Sequence, residues 1–292
     1  ADKHIHGFET LPIGADLKAL PSLYLHTSPE FDMKKLLVAG AERIYQLCHV
    51  YRNGESTRLH SPEFSLLEWY RTGTDYTAMM GDCEGIVKVC AESIGAKTLV
   101  YRGHECDPFA EWRRISVAEA FQEFAGIDLG RFLDDKAGFS AVIKASGIRV
   151  AEDDNWDDLF FRVMAEKIEP YLGMGAPVIL YDYPADMACL SRKKPSDPRY
   201  AERFELYVCG VELANAFSEL TDAAEQRRRF EAEMKEKQAL YGFSYPVDEE
   251  FLQALDYGMP ECSGCALGFD RLVMLATGAA HIDEVLWARK PF

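Results

Sequence analysis

Tyr51-Arg52-Asn53-Gly54-Glu55-Ser56-Thr57-Arg58-Leu59-His60-Ser61-Pro62-Glu63-Phe64-Ser65-Leu66-Leu67-Glu68-Trp69-Tyr70 decides the fold. Phe64 to Tyr70 reads as a strand. The preceding residues 43–52 carry Ile44, Tyr45, Leu47 and Val50 in short apolar runs that read as another. The polar residues 53–62 lie between them, which gives strand, long loop and strand: an antiparallel pair with a functional loop. Arg52 at the strand end and His60 in the loop can approach phosphate oxygens, while Phe64 offers a face to a planar base.

Working outward, residues 23–31 read as a further strand and Met33 to Ala39 as a helix with Lys34 and Lys35 on its wet side. Tyr76 to Ile94, Val117 to Phe124 and Leu159 to Leu172 place apolar residues at helical spacing, so residues 77–175 form a helical excursion between sheet segments. Pro177 to Tyr183 and Arg203 to Val211 return to strand character. Ala223 to Leu240 reads as a charged helix with a solvated face. Strands at both ends with helices between them indicate an α+β fold built on a largely antiparallel sheet.

Two further segments carry chemistry. Gly264 to Gly268 leads into a helix, Phe269 to Ala276. Gly268 permits close backbone approach to a ligand, and Arg271 stands in the first helical turn, where anions are favoured. Asp270 either caps that helix or serves the site. In Arg203 to Glu219, carboxylates recur every seven residues at Glu205, Glu212 and Glu219. On a helix they would form one solvent-facing stripe, but Gly210 and the β-rich run Phe204 to Val208 indicate two strands joined by a tight turn. Acidic groups in such apolar strands need a cation, and magnesium, a hard cation that shares its shell with ligand phosphates, fits Glu205 and Glu212.

The composition restricts the partners. The 292 residues are 48% hydrophobic, enough for a large core, and 32 Lys and Arg against 48 Asp and Glu give a net charge of −16. Such a surface repels nucleic acid overall. The eight cysteines lie scattered in hydrophobic patterns. Only Cys262 and Cys265 have metal-like spacing, with no second pair to complete a zinc site, so buried thiols in a reducing cytoplasm are expected. Ala1 to Thr10 lacks an apolar signal core, and no run approaches membrane-spanning length, so a soluble, cytosolic chain is expected.

The segments around Arg52 and Arg271 resemble motifs 2 and 3 of the class II aminoacyl-tRNA synthetases, specifically the lysyl branch. The resemblance implies an ATP-using, amino-acid-activating enzyme on a class II antiparallel sheet flanked by helices. It implies that Arg52 holds the α-phosphate, His60 the polyphosphate and Phe64 the adenine, with Arg271 covering the opposite adenine face. Asn53, Gly54, Glu55 and Gly268 complete the implied ATP contacts, and Glu205 and Glu212 bind the metal. The family has glutamate where this chain has Gly54. Either Glu55 substitutes, or the adenine contact is weaker. For the amino acid, the matching positions are Ser28, Glu30, Glu68, Tyr70, Asn215, Glu219 and Ala266. Glu219 and Glu68 with Tyr70 would hold the distal ammonium and Glu30 the nearer one, while Asn215 orients the chain.

The lysyl-like stretch Thr27 to Glu30 begins almost at the chain start, so no anticodon-binding barrel is expected before it. Motif 1, the dimer-forming segment, should precede Ala1, so the expectation is one catalytic domain, 1–292, taken from a longer chain, with dimerisation implied by resemblance alone. The match is closer to the short lysyl paralogs that ligate (R)-β-lysine to a lysine of elongation factor P. It runs through Thr27 to Gly40, Gln46 to Tyr70, Ala201 to Phe230 and Met259 to Leu275. Ala266 is the sharpest discriminator, because lysyl-tRNA synthetases have glycine there and a methyl narrows the pocket floor. No stable tRNA binding and no membrane association are expected. The alternatives are a lysyl-tRNA synthetase fragment or tRNA-acting paralog, and a non-catalytic regulatory binding module.

Overall fold

The structure is a computed structural model and describes residues 3–287. The polar start read over Ala1 to Thr10 therefore falls outside the described residues at Ala1 and Asp2. After the short strands β1 (Glu9–Thr10) and β2 (Leu23–Tyr24), helix α1 (Glu30–Val38) opens behind Pro29 with Glu30 and Asp32 in its first turn. The strand expected over 23–31 is thus cut to two residues. Ser28-Pro29-Glu30 supplies a helix start instead.

The strand pair around the long loop forms as expected, with β3 (Arg43–Tyr51) antiparallel to β4 (Glu63–Thr72). Helix α2 (Tyr76–Ser93) follows, capped by the Asp75 side chain on the Thr77 amide. The region 77–175 is less purely helical than its periodicity suggests. It also carries the hairpin β5 (Leu99–Tyr101) and β6 (His104–Cys106), and β7 (Arg113–Ser116), which joins the main sheet. Beyond β7 come α3 (Val117–Ala120), α4 (Lys136–Ala145) and α5 (Trp156–Val163). Then β8 (Val178–Pro184), β9 (Tyr200–Val208) and β10 (Val211–Ser218) complete the middle of the sheet. Helices α6 (Ala223–Tyr241) and α7 (Glu249–Gly258) lead to β11 (Cys262–Gly268) and α8 (Phe269–Thr277).

The seven-stranded sheet runs β3-β4-β11-β10-β9-β8-β7, antiparallel throughout except for the parallel β7–β8 pair. This is the expected α+β architecture. One sheet face is covered by α2 and α8 over a core that includes Trp69, Val87, Phe204, Leu206, Ala216, Leu267 and Leu272. A second core gathers Phe121, Phe139, Phe160 and Leu180 under the helical region. A third ties Met33 and Leu37 of α1 to Phe230, Phe251 and Leu255.

Two local features of β9 and β10 position the site. Cys209 and Gly210 both have positive φ, 52° and 73°, the geometry of a two-residue hairpin turn. Between Glu212 and Ala214 the register shifts, a bulge that leaves Leu213 as the extra residue. On a regular strand, residues seven apart such as Glu212 and Glu219 would face opposite sides. The bulge reverses the parity, so both stand on the face that carries Glu205, Asn215 and Phe217.

Candidate active site

The uncovered face of β4, β11, β10 and β9 floors a cavity of about 720 Å³, walled by α1, the loop 53–62 and the start of α8. That size suits small-molecule binding. Ser28, Glu30, Arg52, Glu55, His60, Phe64, Glu68, Tyr70, Glu205, Glu212, Asn215, Glu219, Ala266, Gly268 and Arg271 all line it. Asn53 and Gly54 do not. The Asn53 amide donates to the His6 carbonyl at 2.7 Å, and Gly54 turns the chain at φ +83° in open space. Glu55, next along, faces the cavity.

One end is cationic. Arg271 is held by three acceptors: Nε donates to the Leu59 carbonyl, Nη1 to the Glu212 carbonyl at 2.7 Å, and Nη2 to His60 Nε2 at 2.7 Å. Guanidinium can only donate, so His60 Nε2 accepts, and its Nδ1 carries the proton toward Thr57 Oγ1 at 2.7 Å. Burial, with Arg271 and Arg52 beside it, pushes the His60 pKa down to about 4, so the ring is neutral at ordinary pH. His60 therefore orients Arg271 as well as facing the cavity. Arg52 donates to the Thr27 carbonyl and lies 5.2 Å from the Phe64 ring centre. Asp270 does not cap α8. Gly268 stands at the N-cap, and Asp270 Oδ2 accepts from the Ser65 amide at 2.7 Å, tying α8 to β4.

At the middle, Glu205 accepts from Arg203 at 2.5 Å, from Tyr183 at 2.5 Å and from Tyr207 at 2.7 Å. Glu212 is far less engaged, 3.9 Å from Arg271 and 42% exposed at its side chain. Its partial enclosure and the neighbouring Glu205 raise its pKa, against the pull of Arg271, Arg203 and Arg52. Among the described residues, no three His, Cys, Asp or Glu side chains form a self-sufficient metal cluster. A magnesium ion that keeps waters and phosphate oxygens needs only one or two carboxylates, and Glu212 with the spare capacity of Glu205 fits that pattern.

The other end is anionic. Ser28 Oγ donates to Glu68 at 2.7 Å and the Tyr70 hydroxyl donates to its other oxygen. Glu219 is fully buried at the side chain, and neither of its oxygens has a well-directed hydrogen bond. Burial raises Glu219 to about 8 and Glu68 to about 7, with Glu30 adding repulsion to both. Such a carboxylate recovers its desolvation cost when a cation docks. Gly264 lies beneath, with no room for a side chain: a Cβ there would stand 2.3 Å from Tyr70 Cε1 and 2.6 Å from Glu219 Oε1. Ala266 pairs with Asn215 on one side and Glu68 on the other, so its methyl lies on the cavity floor.

Lys34 overturns one expectation. It is 1% exposed, not on the wet side of α1, and its Nζ lies 2.5 Å from both Glu30 and Glu219. The surface-helix reading fails because Glu219, just past the end of β10, presents a buried carboxylate to α1. The i,i+4 spacing from Glu30 was the available signal. The charged face of α6 is only partly solvated too, since Arg229 donates to the Ala188 and Ser191 carbonyls. Arg203 also belongs to the site. It bonds Asn215 Oδ1 and Glu205, and the two-residue spacing that puts it on the Glu205 face was legible in principle.

The comparisons with known proteins agree with this geometry. The family model described as tRNA synthetases class II (D, K and N) matches residues 12–288. An elongation factor P–(R)-β-lysine ligase of Vibrio cholerae is 39% identical over 97% of this chain and 83% of its own length. The Edwardsiella ictaluri protein of the same name is 41% identical over 98% and 83%. A lysine–tRNA ligase of Pelotomaculum thermopropionicum is 38% identical over 90% of this chain but 52% of its own length. With a cavity cationic at one end and carboxylate-lined at the other, on an antiparallel sheet matched across nearly its whole length, this chain belongs to the class II tRNA synthetases of the D, K and N type.

Proposed function

We propose that the protein activates (R)-β-lysine with ATP and transfers it to a lysine side chain of elongation factor P. The observation that carries the reading is the pairing, in one cavity, of an arginine end with a buried carboxylate end where Glu30, Glu68 and Glu219 outnumber the single cation Lys34. A substrate with two ammonium groups and a carboxylate matches that polarity, and an ATP polyphosphate matches Arg52 and Arg271. The relatives named as elongation factor P ligases, matched over most of their length, point to the acceptor. Ala266, where lysyl-tRNA synthetases have glycine, favours a β- over an α-amino acid.

In this reading the amino-acid carboxylate forms a bond to the α-phosphorus while the bond to pyrophosphate breaks. The neutral ε-amine of the acceptor then attacks the carbonyl carbon, AMP leaves, and the amine proton is released to solvent. Arg52 and Arg271 stabilise the charge that gathers on the phosphate oxygens, and Arg271 reaches that position already oriented by His60 and two carbonyls. Glu68, Tyr70 and Glu219 hold the distal ammonium, Glu30 the nearer one, and Asn215 the chain between. Glu212 with Glu205 would hold magnesium, which neutralises polyphosphate charge when bound. Catalysis is by positioning, without a covalent enzyme intermediate. The protein acts as a cytoplasmic homodimer that does not bind tRNA stably. Among the described residues no helix is long and apolar enough to cross a membrane.

The test is intact-mass measurement of elongation factor P after incubation with ATP and each lysine isomer. A mass gain of one β-lysyl group supports the reading. Charged tRNA with unmodified elongation factor P would replace it with tRNA aminoacylation.

A further inference from the structure

The carboxylate end of the cavity contains a cation supplied by the protein itself. Lys34 reaches inward from α1 and places Nζ 2.5 Å from Glu30 Oε1 and 2.5 Å from Glu219 Oε2. The rings of Phe217 and Phe251 enclose it, at 5.3 and 5.8 Å from their centres. Burying an ammonium is unfavourable unless it is paired and hydrogen-bonded, so this placement needs a compensating role.

Charge balance supplies one. Glu30, Glu68 and Glu219 are three carboxylates, and when all three are ionised beside the Lys34 ammonium the end carries a formal charge of −2. Glu68 is already bonded by Ser28 and Tyr70, whereas Glu219 has only the Lys34 contact. A ligand with two ammonium groups neutralises that remainder. A ligand with one leaves a buried negative charge uncompensated, which is penalised.

We propose that Lys34 is a positioning residue that sets specificity for a diamino acid: its ammonium fixes Glu30 and Glu219 and cancels one of the three pocket charges. This rests on the functional reading above and adds a residue to it. The groups facing Glu219 are Lys34 and Glu30 from α1, Glu68 and Tyr70 from β4, and Cys262 from β11. Burial opposes the Lys34 charge, but Glu219 and Glu30 more than offset it and hold the amine protonated. Glu219 is pushed to about 8 even with that cation present. Without it, Glu219 binds its proton more tightly still, and the ionised fraction that can hold the distal ammonium at neutral pH falls further.

The experiment compares the unaltered chain with Lys34→Met and Lys34→Gln in amino-acid-dependent ATP–pyrophosphate exchange across pH. Both variants are expected to raise KM for the diamino acid about tenfold or more near neutrality, matching a shift of about one pKa unit. The acid limb of kcat/KM should move to higher pH, while kcat at saturation and KM for ATP stay within about threefold. An unmoved limb, with kcat and Tm lowered together, would make Lys34 a packing residue and overturn the proposal. An unchanged KM would overturn it too, as would failure of both variants to fold. Absence of exchange by the unaltered chain with either lysine isomer is a distinct result: it removes the functional reading on which the proposal stands.

Discussion

Gly264→Ala is the sharpest perturbation the cavity offers. Gly264 lies in mid-strand between Phe217 and Tyr70 in the sheet register, and its backbone is not in the left-handed region. Glycine is needed there for space alone. An added Cβ would meet Tyr70 Cε1 at 2.3 Å, Tyr70 Cδ1 at 2.5 Å and Glu219 Oε1 at 2.6 Å. Tyr70 is 2% exposed and hydrogen-bonded to Glu68, so it cannot swing away cheaply. Overpacking of this kind costs about 1–3 kcal/mol of stability. Displacing Glu219 or the Tyr70–Glu68 pair weakens a charged hydrogen bond worth about 1.5–3 kcal/mol, or about tenfold to 150-fold in affinity. The expected result is a higher KM for the amino acid, a Tm lowered by several degrees and a KM for ATP near normal, because Arg52 and Arg271 sit at the other end. Gly85→Ala on the exposed face of α2, where a Cβ meets nothing within 4 Å, serves as the control and should be neutral or slightly stabilising. Unaltered amino-acid binding in Gly264→Ala, measured by exchange kinetics and calorimetry, would refute the placement of the distal ammonium above β11.

Three further outcomes are expected. Ala266→Gly should shift the ratio of kcat/KM toward α-lysine over β-lysine by about 1–3 kcal/mol, roughly tenfold to two-hundredfold, and an unchanged ratio would remove Ala266 from substrate choice. Glu212→Gln should lower adenylate formation by about two to three orders of magnitude with the far-UV dichroism unchanged, and near-normal exchange would take the metal away from this residue. Glu68 and Glu219 have folded-state values of about 7 and 8, above the ordinary 4.5. Their contribution to stability is therefore full below about pH 4.5 and lost as pH rises through those values. Tm should fall across that window, and added lysine should restore more of it at the alkaline end. A Tm that rises with pH, or equal rescue at both ends, would contradict the burial assigned to these groups.

How much of this was readable in advance follows a physical line. The strand–loop–strand around Arg52, His60 and Phe64 was legible because alternation, polar loop and turn residues are all local. So were the hairpin at Gly210 and the helix behind Gly268. The family assignment was legible too, since its motifs are continuous in sequence. Lys34 was misread because its environment is made by Glu219, 185 positions away, and helical periodicity reports only which face is apolar on average. The strand at 23–31 was lost to a helix start that competes locally for the same residues. The reach of β7 into the main sheet was hidden by the helical pattern on either side of it.

The sequence by itself determined the chemistry available: arginines for a polyphosphate, carboxylates for ammonium groups, a methyl at Ala266 on a strand that leads to Arg271. Tertiary structure decided the arrangement. A single bulge between Glu212 and Ala214 reverses strand parity, and only then do Glu205, Glu212 and Glu219 share one face. The β4–β11–β10 register then puts Glu68, Ala266 and Asn215 side by side, and sets Gly264 under Tyr70 and Glu219. Register and bulges are set by the sum of long-range packing on the α2 and α8 face, and no window of sequence contains that sum.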